Sequence, residues 1–203
     1  MNDPQRDLFG TPTPALPDGL RYEEDFLSPA EEAALVAQIA QLPLEAMKYR
    51  QYTALRRVVS YGGQYDFSAQ QLNEAEPLPA WLAPLRERAA AWMAIAPAQF
   101  TQALVAEYRP GTPLGWHRDV PDFEDIVGIS LLNEAVMRLR PYPPEAPKKS
   151  DVVKLTLAPR SIYLLRGAAR WGWQHSVAPT KLLRYSITLR TPSAGPRSRR
   201  RGG

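Results

Sequence analysis

The chemistry on offer in this chain of 203 residues is concentrated in a few side chains. It has only two histidines. His117 stands two residues before Asp119 in the run Gly115-Trp116-His117-Arg118-Asp119, and His175 follows well downstream. Two neutral imidazoles and one carboxylate are the ligand set that holds non-heme Fe(II) while leaving positions open for oxygen chemistry. A His-x-Asp pair is commonplace on its own, so its meaning depends on the residues that accompany it. The absence of cysteine excludes a thiolate zinc site.

Near the C-terminus, Leu182-Leu183-Arg184-Tyr185-Ser186-Ile187-Thr188-Leu189-Arg190-Thr191 alternates apolar and polar residues with the period of a strand. Tyr185, Ile187 and Leu189 take one face, and Arg184, Ser186, Thr188 and Arg190 take the other. A buried sheet face does not tolerate unpaired guanidinium groups. This polar face therefore either meets water at an exposed edge or lines a cavity that holds an anion. Arg184 and Arg190 are separated by about 20 Å of strand, a gap that two long side chains leaning together bridge around one small dicarboxylate. 2-Oxoglutarate has that chemistry. On the strand alone both readings stay open.

The ordered set is more specific than its members. Leu104-Val105-Ala106-Glu107-Tyr108-Arg109-Pro110-Gly111, then His117-x-Asp119, then Asp125-Ile126-Val127-Gly128-Ile129-Ser130-Leu131, then His175, then Arg184 to Arg190, resembles the core of the AlkB family of Fe(II)- and 2-oxoglutarate-dependent dioxygenases. The resemblance runs from about Tyr22 to Thr191. It implies a double-stranded β-helix, a jelly-roll core with the ligands facing inward. It implies His117, Asp119 and His175 as the catalytic Fe(II) ligands. Arg184 corresponds to the partner of the distal 2-oxoglutarate carboxylate, where a planar fork serves better than a point charge. Arg190 corresponds to a second arginine near the metal-proximal end of the cosubstrate, and Tyr108 to a tyrosine that hydrogen-bonds it. Ser186, among the cosubstrate residues, stands where the best-known members have asparagine. Ala106 replaces another frequent asparagine, so one cosubstrate hydrogen bond is missing or supplied elsewhere. Pro121 stands where nucleobase-demethylating members can carry a second aspartate that contacts the base.

The implied reaction is oxidative decarboxylation of 2-oxoglutarate to succinate and carbon dioxide, coupled to hydroxylation of a C–H bond beside nitrogen and release of formaldehyde. On the substrate side, Tyr49 to Gly62 mixes aromatics with arginines. In the family this region forms a lid over the nucleotide, which makes Tyr52, Arg56, Arg57 and Tyr61 candidates for holding a flipped base by stacking and phosphate pairing. The alternative is a surface hairpin with Tyr61 and Tyr65 packed on the barrel. Trp116, next to a ligand, is a candidate pocket wall. The expected function is oxidative demethylation of alkylated DNA or RNA, with DNA repair first. RNA modification and a protein-directed dioxygenase of the same family are alternatives, as is a non-catalytic metal-binding barrel. Retention of His117, Asp119, His175, Arg184 and Arg190 together argues against the last.

The elements that must position these residues are mainly β with flanking helices, an α+β arrangement. Ser28-Pro29-Ala30-Glu31 predicts a capped helix start, with Ala34, Leu35, Ile39 and Leu42 at helical intervals. A second helix is expected from about Pro79 to Ala94. From Gln102 onward, strands are expected over 103–108, 126–131, 135–139, 152–157, 161–165, 171–177 and 183–191, separated by turns such as Arg109-Pro110-Gly111. Short strands without intervening helices suit an antiparallel sandwich or barrel.

With 44% hydrophobic residues the chain is long enough for one buried domain, expected over 19–192, after an irregular proline-rich leader, 1–18. Arg197, Arg199, Arg200 and Arg201 lie in the tail, 193–203, which reads as disordered. Subtracting those four cations from the net charge of +4 leaves a neutral body, so any basic groove must arise from local clustering. The leader run Gln5-Arg6-Asp7-Leu8-Phe9 resembles a bacterial sliding-clamp-binding peptide; docking of Leu8 and Phe9 on the domain is the alternative. No membrane span or secretion signal is evident, and a cytoplasmic monomer is expected.

Overall fold

The computed structural model describes residues 15–49, 52–66, 71–73, 76–144 and 152–194. The Gln5 to Phe9 run and the four tail arginines lie outside them. Two helices brace one side of the molecule. In α1 (Pro29–Ile39) the Ser28 hydroxyl accepts from the Glu31 N–H at 3.2 Å, and the Glu31 carboxylate accepts from the Ser28 N–H at 2.8 Å. This reciprocal cap satisfies two donors that the first turn leaves unpaired. Helix α2 (Ala83–Met93) follows a single tight turn at Ala80–Leu82 and stops at Ala94, whose φ of 56° is left-handed.

Two antiparallel sheets form the rest. The larger contains β1 (Leu20–Glu23), β2 (Glu45–Tyr49), β3 (Tyr52–Tyr61), β6 (Gln102–Tyr108), β8 (Phe123–Leu131), β11 (Ile162–Leu165) and β13 (Arg184–Pro192), in the order β1-β11-β8-β13-β6-β3-β2. The smaller is β10-β9-β12-β7, from β7 (Leu114–His117), β9 (Ala135–Pro141), β10 (Val153–Leu157) and β12 (Trp173–Val177). A separate ladder joins β4 (Gln64–Asp66) to β5 (Gln71–Asn73). From β6 onward the strands pass back and forth between the two sheets, interrupted only by the β9–β10 hairpin within the small sheet, which is the jelly-roll winding the sequence led us to expect.

Alternation gives each sheet two chemically distinct faces. On the outer face of the large sheet, Ala103, Val105, Val127, Ile129, Ile187 and Leu189 are fully buried against Leu35, Ile39, Leu82, Leu85, Ala89 and Met93 of the helical layer. Each such aliphatic chain contributes about 1.5–3 kcal/mol by leaving water. A second core, with Ile126, Met137, Leu139, Leu157 and Leu165, lies between the sheets. What remains between them is a cavity.

The register brings the polar residues of β13 onto that inner side. Arg184 pairs with Tyr108, Ser186 with Ser130 and Ala106, Thr188 with Gly128 and Leu104, and Arg190 with Ile126 and Gln102. Because β13 is flanked by β8 and β6, the exposed-edge reading of its arginines is excluded: Arg184 is 2% exposed. The structure moves one strand boundary, adds one strand, and gives the substrate-side segment the hairpin form that had been kept as an alternative. Trp171 closes a short helix, α3 (Gly167–Trp171), and the strand expected from 171 begins at Trp173. The four-residue β7, too short for a periodic signal, was not anticipated. The Tyr49 to Tyr61 segment is a hairpin, and it extends the edge of the large sheet.

Candidate functional site

The end of β7 meets the middle of β12 at the two histidines, with His117 directly opposite His175 and their ring centroids 4.2 Å apart. Asp119 follows just past the end of β7. One ligand atom from each of His117, Asp119 and His175 lies within 4.8 Å of the others. The His117 Nδ1–H donates to the Gly115 carbonyl at 2.9 Å, which leaves its Nε2 lone pair available. Burial pushes both imidazoles toward the neutral form. His117 is lowered, and His175, with His117 beside it, falls to about 3. Burial alone would raise Asp119, but Arg190 and the two histidines hold its carboxyl well below the usual range. Ligand lone pairs and an anionic oxygen are therefore all present at neutral pH, a donor set that fits Fe(II).

Arg190 is spent on the aspartate. Its Nε and Nη2 donate to Asp119 Oδ1 at 3.0 and 2.6 Å, and its Nη1 donates to Gln102 Oε1 at 2.8 Å. Oδ2 is left facing His175 Nε2 at 3.6 Å. The side chain expected near the cosubstrate thus fixes which carboxylate oxygen faces the histidines. Arg170, 2% exposed, adds a clamp that the sequence did not signal: its Nη2 donates to the carbonyls of Asp119, Val120 and Phe123 at 3.2, 2.7 and 2.9 Å. It holds the turn that carries the aspartate.

The cavity beside the histidines holds about 480 Å³ of empty space when its solvent-open mouth is counted. Arg56, Tyr108, Arg184, Ser186 and Arg190 line it together with the three candidate ligands. Arg184 donates through Nε to Ser130 Oγ at 2.9 Å and lies 4.9 Å from the Tyr108 ring. Its Nη1 is buried without a partner. A cation this deep with an orphaned donor is completed by a carboxylate, so the residues present fit 2-oxoglutarate. Arg56 donates to the Tyr108 hydroxyl at 3.3 Å; although burial opposes it, Arg56 and Arg184 bring Tyr108 below its ordinary range.

Tyr163 also lines the cavity and was missed. Its ring lies over Gly128, where an added Cβ would meet Cζ at 2.1 Å. Burial raises its hydroxyl, keeping it a neutral donor. The sequence signal was a glycine inside an otherwise branched strand, Ile126-Val127-Gly128-Ile129.

The substrate candidates divide. Arg56 reaches the cavity. Arg57 points the opposite way, pairing with Glu107 at 3.1 Å and donating to the Leu44 carbonyl. Tyr61 packs on the helical core. Trp116 lies on the outer face of the small sheet, under Arg140 and Arg138, and is no wall of the cavity. Tyr52 begins β3 at the hairpin, opposite Tyr49.

A family model described as the 2OG-Fe(II) oxygenase superfamily matches residues 19–190. The chain is 28% identical over 178 residues to the Xenopus tropicalis tRNA (carboxymethyluridine(34)-5-O)-methyltransferase alkbh8, covering 83% of this chain and 26% of that protein. It is 30% identical over 187 residues to the Arabidopsis thaliana "Alkylated DNA repair protein ALKBH8 homolog", covering 81% and 52%. It is 28% identical over 158 residues to the Danio rerio "Probable RNA/DNA demethylase ALKBH6", covering 74% and 65%. The chain thus spans about a quarter to two thirds of the length of these relatives. The solved structure of OsALKBH1 has the same fold, with a TM-score of 0.71 at 14% identity over 89% of this chain and all of that one. No helix among the described residues is long and apolar enough to cross a membrane. Since the matched stretch runs through the barrel from β1 into β13, the chain belongs to the 2OG-Fe(II) oxygenase superfamily, on its AlkB-like branch, whose metal and cosubstrate are Fe(II) and 2-oxoglutarate.

Proposed function

We propose that this protein oxidises an alkyl group on a nucleic-acid base, with Fe(II) held by His117, Asp119 and His175 and 2-oxoglutarate anchored by Arg184. The observation that carries the reading is the buried Arg184 Nη1 without a partner, in the same cavity as the His-Asp-His cluster. When bound, the metal and cosubstrate supply the oxidising power for C–H hydroxylation. The protein's own part is positional. Arg184 pairs with the distal carboxylate, Tyr108 and Ser186 line its path, and the Tyr163 hydroxyl offers the hydrogen bond that Ala106 does not. Arg190 fixes the rotation of Asp119, and Arg56 ties the hairpin edge to Tyr108. Burial of this constellation excludes water, which strengthens every one of these contacts.

The substrate class rests on the relatives, whose names specify tRNA, alkylated DNA, and RNA or DNA. The test is mass-spectrometric scanning for formaldehyde or hydroxylated product across alkylated single-stranded RNA and DNA, with alkylated peptides beside them. Turnover of an oligonucleotide is expected; turnover of peptides alone would overturn the substrate class and leave the oxygenase assignment standing. Several finer features belong to this proposal: a working unit of 19–192, a cytoplasmic monomer, and clamp docking through Gln5 to Phe9. Sedimentation and clamp pull-down with and without Leu8→Ala/Phe9→Ala test the last two.

A further inference from the structure

The outer face of the small sheet carries a cluster that the cavity does not use. Since Met137, His175 and Val177 face inward, alternation turns Arg138, Arg140, Gln174 and Ser176 outward, with Arg140 opposite Gln174 and Arg138 opposite Ser176. The Trp116 ring, adjacent to His117 in sequence, lies 4.4 Å from the Arg140 guanidinium carbon and 5.4 Å from that of Arg138. Beside them Arg118 stacks on Tyr142 at 3.7 Å, and Tyr142 is 40% exposed. Two arginine–aromatic stacks thus stand across the small sheet from the metal cluster, contributed by the histidine strand β7, by β9 beside the histidine strand β12, and by the residues that follow β7 and β9.

Among the described residues, no carboxylate is paired with these three guanidinium groups. Arg138 donates through Nε to Ser176 Oγ at 3.0 Å, and Arg140 donates through Nε and Nη2 to Gln174 Oε1 at 2.9 and 2.7 Å. Arg118 donates to the Trp171 carbonyl at 3.0 Å. Neutral acceptors and aromatic faces fix the orientation of these guanidinium groups and leave the positive charge in place. By contrast, Arg57, Arg88, Arg109, Arg160 and Arg166 each face a carboxylate. Glu124, a carboxylate on this side, accepts from the Trp171 indole. In a chain whose body is formally neutral, this is the local clustering that the overall charge left open.

We infer that this face is a docking strip for the phosphodiester backbone of a single-stranded nucleic acid, leading it to the neighbouring metal centre. The inference rests on the nucleic-acid reading above and deepens it. Arg138 and Arg140 project about 7 Å apart along β9, on the scale of one nucleotide step of an extended strand. Guanidinium groups held without counter-charges bind phosphates by releasing the strand's condensed cations, which makes the contact salt-dependent. A polynucleotide presents such a charge at every step, matching a row of cations better than an isolated acidic side chain does.

The probe is a fluorescein-labelled single-stranded oligoribonucleotide of about 12 residues, within the usual span of single-strand sites, titrated by anisotropy at several salt concentrations. The full chain is compared with its Arg138→Gln/Arg140→Gln variant. Losing two phosphate contacts is expected to reduce the slope of log affinity against log salt by about 1.4, at about 0.7 per contact for single strands. A thermal shift on adding Mn(II) and 2-oxoglutarate equal to the parent's shows that the barrel is intact. If the variant keeps the parent's affinity and salt slope, the docking strip is overturned while the nucleic-acid reading stands. If the parent binds no oligonucleotide but binds an acidic peptide, both fail.

Discussion

Arg184 is the residue whose replacement separates stability from function most sharply. Its side chain is 2% exposed, keeps one hydrogen bond to Ser130 at 2.9 Å, lies 4.9 Å from the Tyr108 ring, and leaves Nη1 without a partner. Burying a cation costs several kcal/mol. The Ser130 bond offsets about 1.5–3 kcal/mol of that, and the ring about 0.5–2 kcal/mol. Without cosubstrate the balance is unfavourable, so Arg184→Met should stabilise the ligand-free protein by about 1–3 kcal/mol. At roughly 2–4 °C per kcal/mol for a domain of this size, Tm rises by roughly 2–12 °C. The same variant should lose the additional thermal shift that 2-oxoglutarate gives in the presence of Mn(II). Arg184→Lys keeps the charge but not the fork, and should bind 2-oxoglutarate about 10- to 150-fold more weakly. Scanning fluorimetry and isothermal titration read both effects. A ligand-free Tm that falls in Arg184→Met would mean that Arg184 is already paired, and an undiminished cosubstrate shift would remove it from the site.

His117→Ala should abolish Mn(II)-dependent stabilisation and succinate formation together; a retained thermal shift would place the metal elsewhere. Gly128→Ala drives a methyl into the Tyr163 ring and should cost about 1–3 kcal/mol, most of it recovered in Gly128→Ala/Tyr163→Leu, which denaturant melts check. Acid should destabilise the metal-free protein: folded His175 titrates at about 3 because of burial and the adjacent His117, against about 6.5 unfolded. Between those values only the unfolded chain takes up the proton, so stability falls as pH drops from about 6.5, by at most about 1.4 kcal/mol per pH unit for this group. A metal-free stability that rises from pH 7 to pH 5 would contradict the buried neutral imidazole.

The parts of the fold that were legible in the sequence are those with local signatures. The Ser28–Glu31 cap, the second helix and the two-faced alternation of β13 each arise from neighbours in the chain. The His-x-Asp pair and the downstream histidine were legible as a set because residue type limits what can ligate a metal. What could not be read was which polar groups would meet across strands. Nothing local distinguishes Arg56 from Arg57, yet one residue of register sends the first to Tyr108 and the second to Glu107. Trp116 looked like a pocket wall for its nearness to His117, and the same alternation turns it outward. Arg190 was assigned to the cosubstrate by resemblance, and its bonds to Asp119 emerge only when β13 and the turn after β7 are brought together. Arg170 and Tyr163 depend wholly on tertiary placement.

The most direct test of the site as a whole is an anaerobic titration of Fe(II) and 2-oxoglutarate, followed by the visible charge-transfer absorbance of the metal–cosubstrate complex, in the parent and in Asp119→Ala and Arg184→Met. The parent should develop the band at one Fe(II) per chain, Asp119→Ala should not, and Arg184→Met should require far more 2-oxoglutarate to reach it. A parent that develops no band, or an Asp119→Ala variant that develops the parent's, would contradict the assignment of this cavity as the Fe(II) and 2-oxoglutarate site.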